Sequence, residues 1–328
     1  MYKVLLVCYV NPKIGLGHLS RLLSLAQTLK KDKKVIPEFL IFGDLIKKDE
    51  LDSFTVHTFS VENNFVQTIQ NLFKNNSFKG IVFDIYQNHN IKKLYRLFTQ
   101  LKQQNIFLVG VDSLIEYCDI LNLIWIPSFN FNTNRYINCK SKLKSGWDSY
   151  LIQKRLKQKV WAPGSKVLVL TGGSDALNLR ERLPSKLDKI LDKNSEINWV
   201  KGPFSKKPKL PEKTRLNWII HDAPQKLDEL ILESNFVLTV FGISFFEVLQ
   251  YGVPTVVFSP YNKKDDDDLV ALSKENVAVV AYNMKSAIEE LINLIKNVDF
   301  AKKLSANALK KMSKNGTKKF SEEIYKLL

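Results

Sequence analysis

Two hydrophobic patterns follow one another at the start of the chain. The run VLLVCYV over residues 4–10 is apolar and is followed by Asn11, Pro12, Gly15 and Gly17. Over residues 18–30, leucines and an alanine recur every three or four positions, which is typical of one buried face of a helix. The pattern predicts a buried strand, a glycine-rich loop and a helix, the opening unit of an α/β fold.

Short apolar runs continue to alternate with helical periodicity along the chain. Strands are predicted at 38–42, 80–84, 106–111 and 123–126, with helices at 63–75 and 91–104. A second series has strands at 166–171, 197–200, 217–220, 236–240, 254–258 and 277–281, and helices at 178–193, 224–234, 244–251 and 285–296. Because strands that alternate with helices form parallel sheets, the chain is predicted to contain two parallel sheets.

Residues 128–163 separate the two series. They are rich in Asn, Lys and Ser and run into Pro163 and Gly164, which is typical of a linker. We therefore expect one α/β domain over 1–162 and a second over 163–328. The tail over 320–328 is amphipathic and is expected to pack back onto the body of the protein.

Length and composition fit two globular domains. The chain has 328 residues, of which 45% are hydrophobic, and this excludes intrinsic disorder. No apolar run approaches the roughly 18 residues of a membrane span, and the first run is too short for a signal peptide. Three scattered cysteines argue against a disulfide framework and against a cysteine zinc site. We therefore expect a cytoplasmic protein.

The charge of the chain predicts an anionic partner. The net charge is +16, of which +11 lies in residues 1–162 and +5 in residues 163–328. The densest basic stretch runs from Lys140 to Lys159, with seven basic residues and only Asp148 against them. It is either a solvated face or a docking surface for an anionic acceptor or membrane. We expect no nucleic-acid partner, because zinc-finger spacing, RNP-like motifs and basic zippers are missing.

The first candidate site is the loop Gly15-Leu16-Gly17-His18 and the helix that follows it. Glycines allow a sharp turn and a close approach to a ligand, and a helix N-terminus offers free amides. A histidine at this end of a helix stays neutral, as a general base must be. The alternative is a tight turn with a capping histidine.

The second candidate site is Thr171-Gly172-Gly173-Ser174-Asp175, at the end of the strand 166–171. Open α/β sheets bind ligands at the carboxyl ends of their strands. Backbone amides and a hydroxyl suit a diphosphate. Asp175 would repel a diphosphate, and its alternative role is to cap the next helix.

A third candidate site is Gly242-Ile243-Ser244-Phe245-Phe246-Glu247, between a strand and a helix. In one interpretation Ser244 is an N-cap and Glu247 is its capping-box partner. In the other, the amides of Gly242 and Ser244 bind phosphate and the Glu247 carboxylate binds the ribose hydroxyls.

Acidic residues close two strands of the first series. Asp84 ends the strand 80–84, and Asp112 follows the strand 106–111. Both positions are expected at the edge where a parallel sheet presents side chains to a ligand. Asp265 to Asp268 form a further acidic run, which we interpret as a solvated loop rather than a metal site.

The joint order of these motifs resembles a known enzyme family, the UDP-sugar hydrolase of the pseudaminic acid pathway. That family belongs to the wider GT-B group and is similar to the lipid II-forming N-acetylglucosaminyltransferase. The resemblance covers roughly residues 3–283 and rests on these residues: Gly15, Gly17, His18, Arg21, Leu25, Ala26, Leu29, Asp84, Tyr86, Asp112, Cys118, Asp119, Gly146, Tyr150, Leu151, Gly172, Gly173, Ser174, Asp175, Gly242, Ser244 and Glu247.

The resemblance implies a fold and a separate role for each domain. It implies a GT-B fold, with two Rossmann-like domains whose parallel sheets face each other across a cleft. The N-terminal domain would bind the sugar and the C-terminal domain would bind UDP. It implies metal-independent cleavage of the anomeric C–O bond of a UDP-sugar, with no cofactor. His18 would activate the attacking water and Tyr86 would lie in the same site.

The remaining site residues take their expected roles from the same resemblance. Substrate would be bound by Gly15, Gly17, Arg21, Asp84 and Asp112. The nucleotide would be bound by Gly172, Gly173, Ser174, Asp175, Gly242, Ser244 and Glu247.

Two alternatives stay open at this stage. The family carries an Arg and an Asp where this chain has Val7 and Tyr9, which favours a different acceptor. In the first alternative, a GT-B glycosyltransferase, His18 would activate a hydroxyl of a glycan, lipid or protein, and the protein could attach peripherally to the inner membrane face. The second alternative is a non-catalytic nucleotide-sugar-binding protein.

Overall fold

The computed structural model describes residues 1–31, 34–44, 48–85, 91–259 and 265–328. The chain divides into two compact units. The first contains Met1–Gln153 and Lys314–Leu328, and the second contains Lys154–Ser313. Each unit is an α/β domain with its own parallel sheet, as the alternating pattern predicts.

The first unit is built on a seven-stranded sheet in the order β3-β2-β1-β4-β5-β6-β7, with every pair parallel. Its strands are β1 (Tyr2–Val10), β2 (Val35–Gly43), β3 (Thr55–Phe59), β4 (Phe78–Asp84), β5 (Phe107–Val111), β6 (Leu123–Trp125) and β7 (Lys142–Lys144). Its helices are α1 (Gly17–Lys31), α2 (Phe65–Asn75), α3 (Ile91–Gln103) and, at the C-terminus of the chain, α10 (Gly316–Tyr325).

The second unit has a six-stranded parallel sheet in the order β10-β9-β8-β11-β12-β13. Its strands are β8 (Lys166–Leu170), β9 (Glu196–Lys201), β10 (Asn217–Asp222), β11 (Phe236–Val240), β12 (Thr255–Phe258) and β13 (Val279–Val280). Its helices are α4 (Leu179–Ile190), α5 (Leu227–Glu233), α6 (Ile243–Leu249), α7 (Asp266–Glu275), α8 (Met284–Lys296) and α9 (Val298–Lys311).

Continuous apolar runs become the central strands because both faces of these sheets are covered. Residues 4–8 of β1 are completely buried, and so are Ile81, Val82 and Phe83 of β4. The leucines of α1 that recur with helical periodicity are likewise buried. Within the described part of the chain, no helix is both long enough and apolar enough to cross a bilayer.

The division of the chain differs from the expected one in two places. The first unit ends at Gln153 rather than 162, and residues 128–153 are part of it instead of a linker, with β7 paired to β6. The C-terminal helix, expected in the second domain, belongs to the first unit. The reason is its apolar face: Phe320 is completely buried and stacks on Trp125 at 4.7 Å between ring centroids.

Candidate active site

Each sheet has one position where the strand order reverses. In the first sheet β1 lies between β2 and β4, and in the second β8 lies between β9 and β11. Such a switch point opens a crevice at the carboxyl ends of the two central strands, where α/β proteins bind ligands. The predicted glycine loops follow β1 and β8, so they lie at these two positions.

The loop after β1 is shaped by its own hydrogen bonds. The amide of Gly15 donates to the carbonyl of Asn11 at 2.8 Å, and the Asn11 Oδ1 accepts from the amides of Lys13 and Ile14, both at 2.9 Å. Gly15 has φ +79°, a conformation that favours glycine. Helix α1 then begins at Gly17, which places His18 in its first turn.

His18 contacts the carboxylate that closes the neighbouring strand. Asp84 is the last residue of β4 and lies beside Cys8 of β1 in the parallel register. The Nδ1 of His18 lies 2.5 Å from the Oδ1 of Asp84. Asp84 is completely buried, whereas the His18 side chain keeps 15% of its surface exposed. The buried carboxylate therefore holds the ring, and part of the His18 side chain stays accessible.

Arg21 completes the cluster from the next turn of α1. Its Nε donates to the Oδ2 of Asp84 at 2.8 Å, and its Nη2 donates to the Oδ1 of Asp84 at 2.7 Å and to the Oδ2 of Asp112 at 3.0 Å. Residues three apart share a helix face, which brings His18 and Arg21 to the same carboxylate. The bidentate geometry fixes the orientation of Asp84.

The charges of this cluster favour an ionised Asp84. Burial by itself raises the pKa of Asp84, but Arg21 and His18 more than offset this effect and lower that pKa to about 2. Burial lowers the pKa of Arg21, yet Asp84 and Asp112 raise it by more, so the guanidinium stays charged. The site thus contains a permanent buried ion pair beside the imidazole ring.

The contacts of the His18 Nδ1 favour a proton on that nitrogen. The Nδ1 of His18 also lies 3.0 Å from the Arg21 Nη2, but that Nη2 has two carboxylate acceptors, Asp84 at 2.7 Å and Asp112 at 3.0 Å, which bind its hydrogens more strongly than an imidazole nitrogen does. Asp84 is an ionised acceptor. The short contact between His18 and Asp84 therefore needs a proton on Nδ1. In neutral His18 the Nε2 is then an acceptor, which is the state required of a general base.

Asp112 contributes an exposed carboxylate at the end of β5. Its side chain is 46% exposed, and its backbone has φ +66°, an uncommon conformation for a residue other than glycine. The next residue, Ser113, donates its hydroxyl to the carbonyl of Ile85 at 2.5 Å, which ties this loop to the end of β4. Strained backbone held by its surroundings is frequent at functional sites.

The structure thus joins four of the predicted residues of the first domain, His18, Arg21, Asp84 and Asp112, in one hydrogen-bonded cluster. The expectation that Asp84 contacts substrate is wrong for a physical reason: it is buried, and both of its oxygens bind His18 and Arg21. Asp84 orients the two side chains that it binds. Tyr86, predicted as catalytic, lies outside the described residues.

The loop after β8 is closely packed from the side of β9. Gly172 has φ +82°, and a side chain at Gly202 would collide with the carbonyl oxygens of Gly172 and Gly173 at about 2.5 Å and 2.4 Å. The amide of Phe204 also donates to the Gly173 carbonyl at 3.0 Å. Glycine at 202 is therefore needed for this approach of two backbone segments.

Asp175 caps helix α4. Its Oδ1 accepts from the amide of Leu179 at 2.9 Å and its Oδ2 from the amide of Arg180 at 3.0 Å. The side chain is buried, and this burial raises its pKa despite the two amides. The capping alternative is thus the one observed. Because both oxygens are engaged, the expected contact of Asp175 with a nucleotide is not available in this arrangement.

The third loop lies next to the second. A side chain at Gly172 would come within 3.7 Å of Val240, the last residue of β11. Helix α6 begins at Ile243, its N-cap is Gly242, and no side chain caps it. The capping-box interpretation of Ser244 and Glu247 is therefore wrong. Glu247 lies half-buried in the second turn of α6.

One polar group at this second switch point was missed by the sequence reasoning. The side chain of Thr171 is buried, with 4% of the residue exposed, and its Oγ1 has no hydrogen-bond partner. Nothing in the sequence separates this hydroxyl from other strand-end threonines. The hydroxyl lacks a hydrogen-bond partner only because of how the chain packs around the end of β8.

The basic stretch from Lys140 to Lys159 is divided between the two units, which meet in the sequence at Gln153 and Lys154. Lys142 pairs with Glu323, and the Nη1 of Arg155 lies 3.5 Å from the Oδ1 of Asp228. Part of this charge is thus used within each unit. Docking of an anionic acceptor or membrane to the stretch stays a prediction.

The acidic run is largely helical instead of a loop. Asp266, Asp267 and Asp268 form the first turn of α7, where carboxylates interact favourably with the helix dipole. Asp265 accepts from the Ser259 hydroxyl at 2.6 Å. Over the described ranges, no group of three or more His, Cys, Asp or Glu residues is placed to hold a metal ion. The three cysteines are free thiols.

Comparisons with known proteins support the fold. No protein-family model matches the chain. An uncharacterised protein of Methanocaldococcus jannaschii, MJ1062, is 24% identical over 351 aligned positions, which cover 93% of this chain and 68% of that protein.

Two solved structures illustrate the similarity. The Acinetobacter baumannii protein MurG superposes with a TM-score of 0.66 at 13% identity, over 99% of this chain and 100% of that one. The Neisseria meningitidis UDP-GlcNAc 2-epimerase bound to UDP-GlcNAc superposes with a TM-score of 0.61 at 12% identity, over 99% and 100%. The glycosyltransferases of kitacinnamycin and of calicheamicin superpose with TM-scores of 0.65 and 0.66, each at 12% identity. The chain therefore has a GT-B fold with two Rossmann-like domains, as predicted.

Proposed function

We propose that this protein is a nucleotide-sugar enzyme that transfers the sugar of a UDP-sugar to a hydroxyl acceptor, with His18 as the general base. The observation that carries the proposal is the contact between His18 and the buried, ionised Asp84 at the first switch point. This pair orients the ring and leaves Nε2 as the accepting nitrogen.

The chemistry follows from this arrangement. The Nε2 of His18 takes the proton of the acceptor hydroxyl while the acceptor oxygen forms a bond to the anomeric carbon of the sugar. The anomeric C–O bond breaks, and its electron pair leaves with the diphosphate. Asp84 stabilises the imidazolium that forms, and Arg21 keeps Asp84 ionised. The exposed Asp112 is available to accept from a sugar hydroxyl.

The nucleotide is assigned to the second unit. Amides of Gly172, Gly173, Ser174, Gly242 and Ser244 surround the second switch point and would bind the diphosphate, and Glu247 would bind the ribose hydroxyls. Two structural neighbours support a uridine nucleotide: the Staphylococcus aureus protein MnaA was solved with UDP, and the Neisseria meningitidis epimerase with UDP-GlcNAc. No cofactor takes part in this proposal.

A second candidate function is hydrolysis, in which water replaces the acceptor hydroxyl. The order of motifs along the chain favours it, since that order resembles the UDP-sugar hydrolase of the pseudaminic acid pathway. The similarity of the fold to several glycosyltransferases favours transfer. The same histidine and carboxylate serve both reactions, so the acceptor must be determined by experiment.

The test is the release of nucleotide from a panel of UDP-, dTDP- and CMP-sugars, with and without glycan and lipid acceptors. Release that needs an acceptor supports transfer, and release in water alone supports hydrolysis. Absence of release under every condition would overturn both. We expect His18→Ala to lower kcat by about 10²-fold to 10⁴-fold while nucleotide binding survives. His57→Ala is the matched control, because His57 pairs with Glu38 of β2 instead of Asp84.

A further inference from the structure

Among the residues that the structure describes, Thr171 has a buried hydroxyl without a hydrogen-bond partner. Thr239, Thr255 and Thr317 are also buried, and each donates its hydroxyl to a backbone carbonyl, at 3.3, 2.7 and 3.2 Å. Thr171 does not, and its Oγ1 is almost completely shielded from solvent. A buried hydroxyl without a partner costs stability, so a native protein that retains one needs a reason for it.

The position of Thr171 suggests the reason. Thr171 directly follows β8 and directly precedes Gly172 and Gly173, at the switch point of the second sheet. The neighbouring helix offers little to an anion, because Asp175 already occupies the amides of Leu179 and Arg180 at the start of α4. A diphosphate bound here must therefore find its donors in the loop itself.

We propose that the Thr171 hydroxyl donates a hydrogen bond to a diphosphate oxygen of the bound nucleotide. This inference rests on the function proposed above. The unpaired hydroxyl is a donor that the ligand-free chain leaves unused, and an anionic oxygen is the strongest acceptor it can meet. Since the hydroxyl is covered, the glycine loop must shift when the nucleotide binds. Gly172 and Gly173 have no side chains that would oppose such a shift, which must keep or replace the hydrogen bond from the Phe204 amide to the Gly173 carbonyl.

The isosteric variant Thr171→Val makes this proposal testable. It should keep or raise the stability of the ligand-free protein, and it should lower the affinity for UDP. Removal of an unpaired hydroxyl should leave the thermal stability of the ligand-free protein unchanged or raise it. The same change should weaken UDP binding between about tenfold and a hundredfold, because a charge-assisted hydrogen bond is lost. Thr171→Ser, which keeps the hydroxyl, should bind UDP nearly as the wild type does.

The measurement is calorimetric titration of each variant with UDP and with uridine, together with thermal unfolding without ligand. Uridine lacks the diphosphate, so its affinity should not change in Thr171→Val. Thr239→Val is the matched control: its hydroxyl has a partner, so we expect lower stability and no effect specific to the diphosphate. Thr171→Ala provides a second variant without the hydroxyl if the valine side chain fails to pack.

Three results would overturn the proposal. Thr171→Val and Thr171→Ala could bind UDP as tightly as the wild type does. They could lose UDP and uridine affinity equally, which would place the effect away from the diphosphate. Thr171→Ser could be as weak as Thr171→Val. If the wild type itself binds none of UDP, dTDP and CDP, the proposed function fails as well, and this outcome is distinct from the other three.

Discussion

The two switch points have the same strand topology but carry different kinds of residue. At the first, between β1 and β4, an imidazole, a guanidinium and two carboxylates form one hydrogen-bonded cluster. At the second, between β8 and β11, two glycine loops lie together and the one titratable group of the loop after β8, Asp175, faces a helix end. Each sheet thus provides a crevice at its switch point. The side chains at the strand ends determine the chemistry of that crevice.

The buried aspartate at each of the two switch points illustrates this difference. Asp84 accepts from charged and titratable side chains, which lower its pKa to about 2. Asp175 accepts from backbone amides alone, and burial raises its pKa. The first carboxylate therefore controls a proton on His18, whereas the second satisfies the start of a helix. A buried acid is informative about function only through its partners.

The largest expected effect comes from removing the charge of each aspartate in turn. We expect Asp84→Asn to lower kcat by about 10³-fold to 10⁴-fold, because an amide next to Nδ1 favours the tautomer in which Nε2 carries the proton. Asp175→Asn keeps an oxygen for capping and should change kcat by no more than about threefold. The measurement is the turnover of nucleotide sugar by both variants after their folding is checked by circular dichroism. Equal losses in the two variants would contradict the distinction.

The dependence of stability on acidic pH also distinguishes Asp84 from Asp175, and the expected effect is smaller. The folded-state pKa of Asp84, about 2, lies below its ordinary 3.8. Its ionised form therefore contributes about 2 kcal/mol of stability above pH 4, which is lost as the pH falls from about 4 to about 2. The pKa of Asp175 is shifted in the opposite direction, upwards. Its ionised form therefore lowers the stability at neutral pH, and protonation at falling pH removes this destabilisation.

Urea unfolding of the wild type and of both Asn variants at pH 2, 3, 4 and 7 measures these contributions. We expect Asp84→Asn to reduce the loss of stability between pH 4 and pH 2, and Asp175→Asn to leave that loss or increase it. The interpretation of Asp84 is wrong if its variant retains the full loss of the wild type over this interval.

The smallest expected effect concerns the cap of α4. Asp175→Ala should lower the free energy of unfolding by about 1 kcal/mol, since two helix amides lose their acceptor. It should not weaken UDP binding, because the removed charge repels a diphosphate. Chemical denaturation and calorimetric titration check both statements. A clear loss of UDP affinity with unchanged stability would instead restore the role in nucleotide binding that the motif order implied.

Local patterning predicted most of the elements correctly. The central residues of β1, β4, β8 and β11 are mostly apolar because both faces of these strands are covered, so the strands can be recognised from composition alone. The strands β3 and β7 were missed, since both lie at the edge of the first sheet and TVHTF and KLK carry polar residues that face solvent. Edge strands lack the apolar signal by which buried strands are found.

The sequence by itself determined the α/β class, the glycine loops and the position of His18 at the start of a helix. These depend on neighbours within a few residues, so periodicity and turn chemistry suffice. Only the tertiary structure decided that Asp84 holds His18, that Asp175 caps α4, that Thr171 is unpaired and that the C-terminal helix joins the first unit. Each depends on burial and on contacts between distant segments, because the partner of a polar group is set by what the fold packs around it.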